Sequence, residues 1–273
     1  MFTSNDPFLL ESKDEKTILK KFRDNFDAKK FKGRNIKTNR EILKSEFEGI
    51  VLNRIDKILI QQDNYFEILN LKHENLEPIF NFQTTDNFVF FTTPLFVCKL
   101  ATVWEEKLHT KQDIKKMFCD FWNALNFLKS QNISHGTIHE NNLASDGKKW
   151  YVSGLISAKK TGECMSVMIL DLPSYKSRRS LNNQNNGQKF DTIPSDDMWQ
   201  LVLMYVITYY GFNPFLNICD DNLDVNLNIR NGKCKEISKS LNGKYLEEIL
   251  TSKNELENDD YDKILKIFQN NTD

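Results

Sequence analysis

Residues 135–142 read His135-Gly136-Thr137-Ile138-His139-Glu140-Asn141-Asn142, and the fold is decided by what this stretch is taken to be. The Gly136-Thr137 pair argues for a turn rather than a helix, so His135 and His139 do not stack as neighbouring helical ligands. The order of His139 and Glu140 is also wrong for a zinc-binding H-E-x-x-H helix, and no metal site is expected here. Upstream, Ile114, Met117, Phe118, Phe121, Leu125 and Leu128 recur at helical spacing, which predicts a helix over 114–129 with one buried face. Downstream, Trp150-Tyr151-Val152-Ser153-Gly154-Leu155 is a short β-type run ending at a glycine. Farther on, Pro194-Ser195-Asp196-Asp197-Met198-Trp199 opens an apolar run to Tyr210, closed by Gly211-Phe212-Asn213-Pro214-Phe215. A turn framed by a long helix and a short strand, then a second apolar helix, predicts a mixed α+β chain.

The frame resembles the catalytic loop of protein kinases, H-R-D-x-x-x-x-N, in which the Asp is the base and the Asn holds a magnesium ion. His135 and Asn142 keep that frame, but the Arg place is Gly136 and the Asp place is Thr137. Gly154 fits the glycine of the family's Asp-Phe-Gly, with Ser153 at the Phe place and Val152 at the metal-binding Asp. The run from Pro194 is similar to the family's S-D-x-W…G-x-x-P-F signature, which makes Asp197 the structural carboxylate that binds the catalytic-loop backbone. Toward the N-terminus, Leu71-Lys72-His73-Glu74-Asn75-Leu76 resembles the L-x-H-x-N-I that follows the small lobe's regulatory helix. Ile79 to Phe82 and Phe88 to Thr92 form a hairpin around residues 84–87. Cys98 to Glu106 looks most like the hinge region of the unfolded-protein-response sensor kinase/ribonuclease and of the 2-5A-dependent ribonuclease.

The resemblance covers residues 45–270 and implies a bilobal fold: an extension over 1–30, a small β-rich lobe over 31–97, and a helical lobe over 98–273. The second lobe is expected to stop short of the family's last helices and to lack the further helical domain that carries ribonuclease activity in the named relatives. The nucleotide grip is also degraded. There is no G-x-G-x-x-G between Phe31 and Arg54, and with Ile50 to Ile55 as third strand, Asn53 takes the place of the phosphate-pairing Lys. The regulatory-helix Glu then falls near Tyr65. An alternative register puts the third strand at Phe26 to Lys30 and the helix Glu at Glu41 or Glu46. At the end of the activation segment the position of a buried Glu is Arg179, and the expectation is that this ion pair is lost. The Asn-rich stretch from Ser180 to Gly187 reads as a mobile loop.

These losses imply no working catalytic residue among His135, Thr137, Asn142, Val152 and Gly154. Asn53 and Asn142 are what remains at cofactor-binding positions, and Asn142 also reads as a simple turn former. No cofactor is then required, and any ATP binding is expected to be weak. The function implied is a pseudokinase acting as scaffold or allosteric binding partner of a protein, such as an active kinase or a second copy of itself. The alternative is a divergent Ser/Thr kinase using displaced carboxylates, Glu140, Asp146 or Asp171.

Composition sets outer limits. With 273 residues, 40% of them hydrophobic, and a formal net charge of -1, the chain can bury its own cores and shows no electrostatic footprint for nucleic acid. Lys29, Lys30, Lys32, Arg34 and Lys37 form a basic run that reads as a solvated face. Five cysteines without a C-x-x-C pair suit buried thiols in a reducing compartment. No stretch approaches the ~20 apolar residues of a membrane span, so a cytoplasmic or nuclear protein with no membrane partner is expected.

Overall fold

The paired strands between residues 32 and 94 run antiparallel to one another. A computed structural model describes residues 32–37, 41–47, 50–56, 65–84, 86, 88–94, 96–106, 109–163, 176–185, 193–216 and 225–270. The 1–30 extension, the alternative strand at Phe26 to Lys30, Asp171, Cys164 and Cys219 lie outside these residues. The chain divides into two units, one of Met1–Lys72 with Glu77–Val97, the other of His73–Leu76 with Cys98–Asp273.

The first unit holds β1 (Lys32–Lys37), β2 (Glu41–Phe47), β3 (Ile50–Asp56), a short helix α1 (Tyr65–Leu69), β4 (Phe80–Thr84) and β5 (Phe88–Pro94). The sheet order is β1-β2-β3-β5-β4. Strand β3 runs against β5 from Ile50 opposite Pro94 to Asp56 opposite Phe88. Val89, Phe90, Phe91 and Thr92 are all buried in sequence, so β5 is covered on both faces and reads as a continuous apolar run rather than an alternation. The buried hydroxyl of Thr92 is satisfied, since its Oγ1 donates to the Phe80 carbonyl at 3.0 Å.

The second unit is built on two helices that bury each other. Helix α3 (Lys111–Ser130) follows α2 (Leu100–Glu106) and starts at a reciprocal capping box between Thr110 and Asp113. Every member of its apolar stripe, Ile114 to Leu128, is buried. Helix α5 (Pro194–Tyr210) has Pro194 in its first turn and a left-handed Gly211 at its C-terminus. Thirteen of its 17 residues are buried, the pattern of a helix enclosed on all sides. Phe118 and Tyr205 meet edge-on at 5.2 Å between ring centres, and Phe268 of α8 (Asn258–Gln269) closes on Tyr205 at 4.7 Å. Around this core stand β6 (Cys98–Lys99), β8 (Leu143–Ser145) and β9 (Trp150–Val152) in one sheet, and β7 (Ile133–Ser134) paired with β10 (Lys159–Lys160). Helices α4 (Arg178–Asn185), α6 (Val225–Asn231) and α7 (Leu241–Thr251) complete the unit.

One expectation is corrected, the loop over residues 180–185, and two further features add to the sequence reading. His73–Leu76 belongs to the second unit, because Asn75 Nδ2 donates to the Trp150 carbonyl at 3.1 Å and Val152 N–H donates to the Asn75 carbonyl at 2.8 Å. Residues 180–185 are helical rather than a loop. Their composition is poor for a helix, and tertiary contacts override it: Leu181 is buried, and Arg178 donates to the carbonyls of Arg230 and Thr251 at the ends of α6 and α7. Arg179, at the place of the family's buried Glu, makes ion pairs of its own. Its guanidinium meets Asp196 at 2.5 Å and Glu255 at 3.9 Å, so the position supplies the cation of a pair.

Candidate functional site

Three backbone amides at the turn after β7 need buried acceptors, and α5 supplies all of them. Asp197 Oδ2 accepts from His135 N–H at 2.6 Å, Asp197 Oδ1 from Gly136 N–H at 2.7 Å, and Gln200 Oε1 from Ile138 N–H at 2.8 Å. Asp197 and Gln200 are three residues apart on a helix and therefore present one face to the turn. Gly136 has a φ of 83°, a left-handed backbone that glycine adopts without penalty. Burial pushes the Asp197 carboxyl up to about 7, against the pull of the two amides that favour its charged form.

His135 is fully buried and held in one tautomer. Nε2 lies 2.9 Å from the Ser153 carbonyl, which only an N–H can satisfy, while Nδ1 accepts from Thr137 N–H at 3.3 Å. Both nitrogens are used by the neutral ring, and burial lowers its pKa to about 4. His73 and His139 accept the N–H two residues on in the same way, from Asn75 and Asn141. These histidines are turn-closing groups.

Beside the turn lies a neutral hydroxyl-amide cluster. Thr137, 2% exposed, has its Oγ1 2.5 Å from Ser157 Oγ. Asn142 Nδ2 donates to the Thr137 carbonyl at 2.8 Å and reaches Thr137 Oγ1 at 3.4 Å. The Asn142 carbonyl accepts from Ser153 N–H at 2.8 Å, which joins β8 to β9. Val152 is completely buried in β9 opposite Leu143. Gly154 has a φ of 82°, and a Cβ there would stand 2.8 Å from Asn142 Oδ1. Asn142 is thus packed against Gly154 and bonded inward to Thr137. Gly154→Ala is expected to cost about 1–3 kcal/mol from the left-handed backbone and the clash together. In an Asn142→Ala background the cost should fall, because the clash is gone; equal costs in urea titrations of both backgrounds would show that Asn142 is not what requires the glycine.

The other sequence candidates separate from this cluster. Asn53 is in the first unit, on β3 opposite Phe91 of β5, and its side chain lies outside the described residues, as do those of the basic run. Asp146 accepts from the amides of Lys148 and Lys149 at 2.8 and 3.0 Å and from the Tyr151 hydroxyl at 2.9 Å, so it closes the β8–β9 turn. Glu140 is half-buried and differs: its Oε2 is buried with no hydrogen-bond partner among the described residues. Gln200 and Ser157 were not singled out from sequence. The spacing of Gln200 from Asp197 is a usable signal; nothing local marks Ser157. No group of three or more metal-ligating side chains is gathered among the described residues. No helix among them is long and apolar enough to cross a membrane.

No family model and no curated protein sequence matches this chain.

Proposed function

We propose that the chain is a bilobal protein-kinase-like domain that has lost phosphoryl transfer and acts as a protein-binding module, a scaffold or an allosteric partner. One observation carries this reading: the place of the catalytic base is a buried threonine hydroxyl bonded to Ser157. A base must reach the proton it takes and must be able to hold it; Thr137 fails on access and on chemistry. The donor set also does not fit magnesium, an ion that takes carboxylate and phosphate oxygens at near-octahedral geometry. Val152 offers no side-chain oxygen, and Asn142, whose Nδ2 donates to the Thr137 carbonyl, offers only one neutral oxygen, Oδ1. Asp197 bonded to the turn amides supports the family reading, since that is the role the resemblance gives it.

A second reading, a divergent kinase, has one observation in its favour, the unpartnered Oε2 of Glu140. A single pair of measurements separates the two. Under the first reading ATP with magnesium leaves the thermal midpoint within about 1 °C of the apo value at millimolar nucleotide, and radiolabelled phosphate is not transferred to the protein or to generic substrates. Transfer that Glu140→Gln abolishes while the midpoint is kept would overturn it. Thr137→Asp is the informative gain-of-carboxylate variant; Val152→Asp would place a charge where no water reaches and should unfold the β8–β9 sheet instead.

A further inference from the structure

We draw no further inference here: the strongest candidate, the cavity between α2, the start of α3 and the end of α5, has its Tyr209 ring already covered by Tyr205, Lys111 and Lys115, which leaves an apolar wall of Val103, Trp104, Ile114 and Ile207, and nothing in the structure shows what covers that wall.

Discussion

Asp197→Ala is expected to lower the thermal midpoint by about 10 °C, the largest effect of any single side chain at the turn. The substitution leaves the amides of His135 and Gly136 facing an empty, nearly dry space, since Asp197 is 3% exposed. Each orphaned buried N–H costs about 1–3 kcal/mol. Part of this is offset because a buried carboxylate no longer has to be desolvated, which leaves roughly 3–4 kcal/mol. For a chain of this size, 1 kcal/mol moves the midpoint by about 2–4 °C. Asp197→Asn should be nearly as damaging, because its amide nitrogen would be set against one of the two N–H groups. Asp196→Asn is the control: it weakens the pair with Arg179 but leaves both turn amides satisfied. Calorimetry that places Asp197→Ala within about 3 °C of the wild type would mean that water or a shifted backbone meets those amides.

The parts of this fold that sequence announces are those written in apolar periodicity. The stripe of α3 and the all-round apolar run of α5 follow directly from burial, and the β4–β5 hairpin from β-branched and aromatic runs on either side of residues 84–87. Asp197 was legible by another route, through the resemblance of the run from Pro194 to the S-D-x-W signature, which implies a carboxylate bonded to the loop backbone. Helix α4 was not legible, because its buried Leu181 sits among Asn, Gln and Arg and the stabilising bonds come from Arg178 to carbonyls more than fifty residues away. The ion pair of Arg179 with Asp196 escaped for the same reason: partners far along the chain leave no local pattern. The neutral cluster was half legible. The resemblance singled out Thr137 and Asn142, but only coordinates show that Ser157 meets the Thr137 hydroxyl and that Asn142 packs against Gly154, where it leaves no room for a Cβ.

His135 should make the stability margin over a His135→Gln variant depend on pH, with a sign fixed by burial. In the fold its ring is neutral, with a pKa lowered to about 4, and in the unfolded chain it titrates near the ordinary 6.5. Between those values the unfolded state binds a proton that the native state refuses, so stability rises with pH. The contribution is fully present above 6.5 and is lost as the pH falls through 6.5 toward 4. Gln cannot titrate, and its amide can still donate to the Ser153 carbonyl, so the wild-type margin isolates this one proton. From pH 7 to pH 5 the margin should shrink by about 2 kcal/mol. Asp197 has the opposite sign, since a carboxyl raised to about 7 loses its contribution as pH rises toward 7. It accepts from the backbone N–H of residue 135 rather than from the ring, so it is common to both proteins and cancels in the difference. Urea midpoints of the pair at pH 7, 6 and 5 give the margin directly. A margin that stays constant or widens on acidification would mean that the native ring carries a proton on Nδ1, and the bond from Thr137 N–H that helps close the turn could not exist.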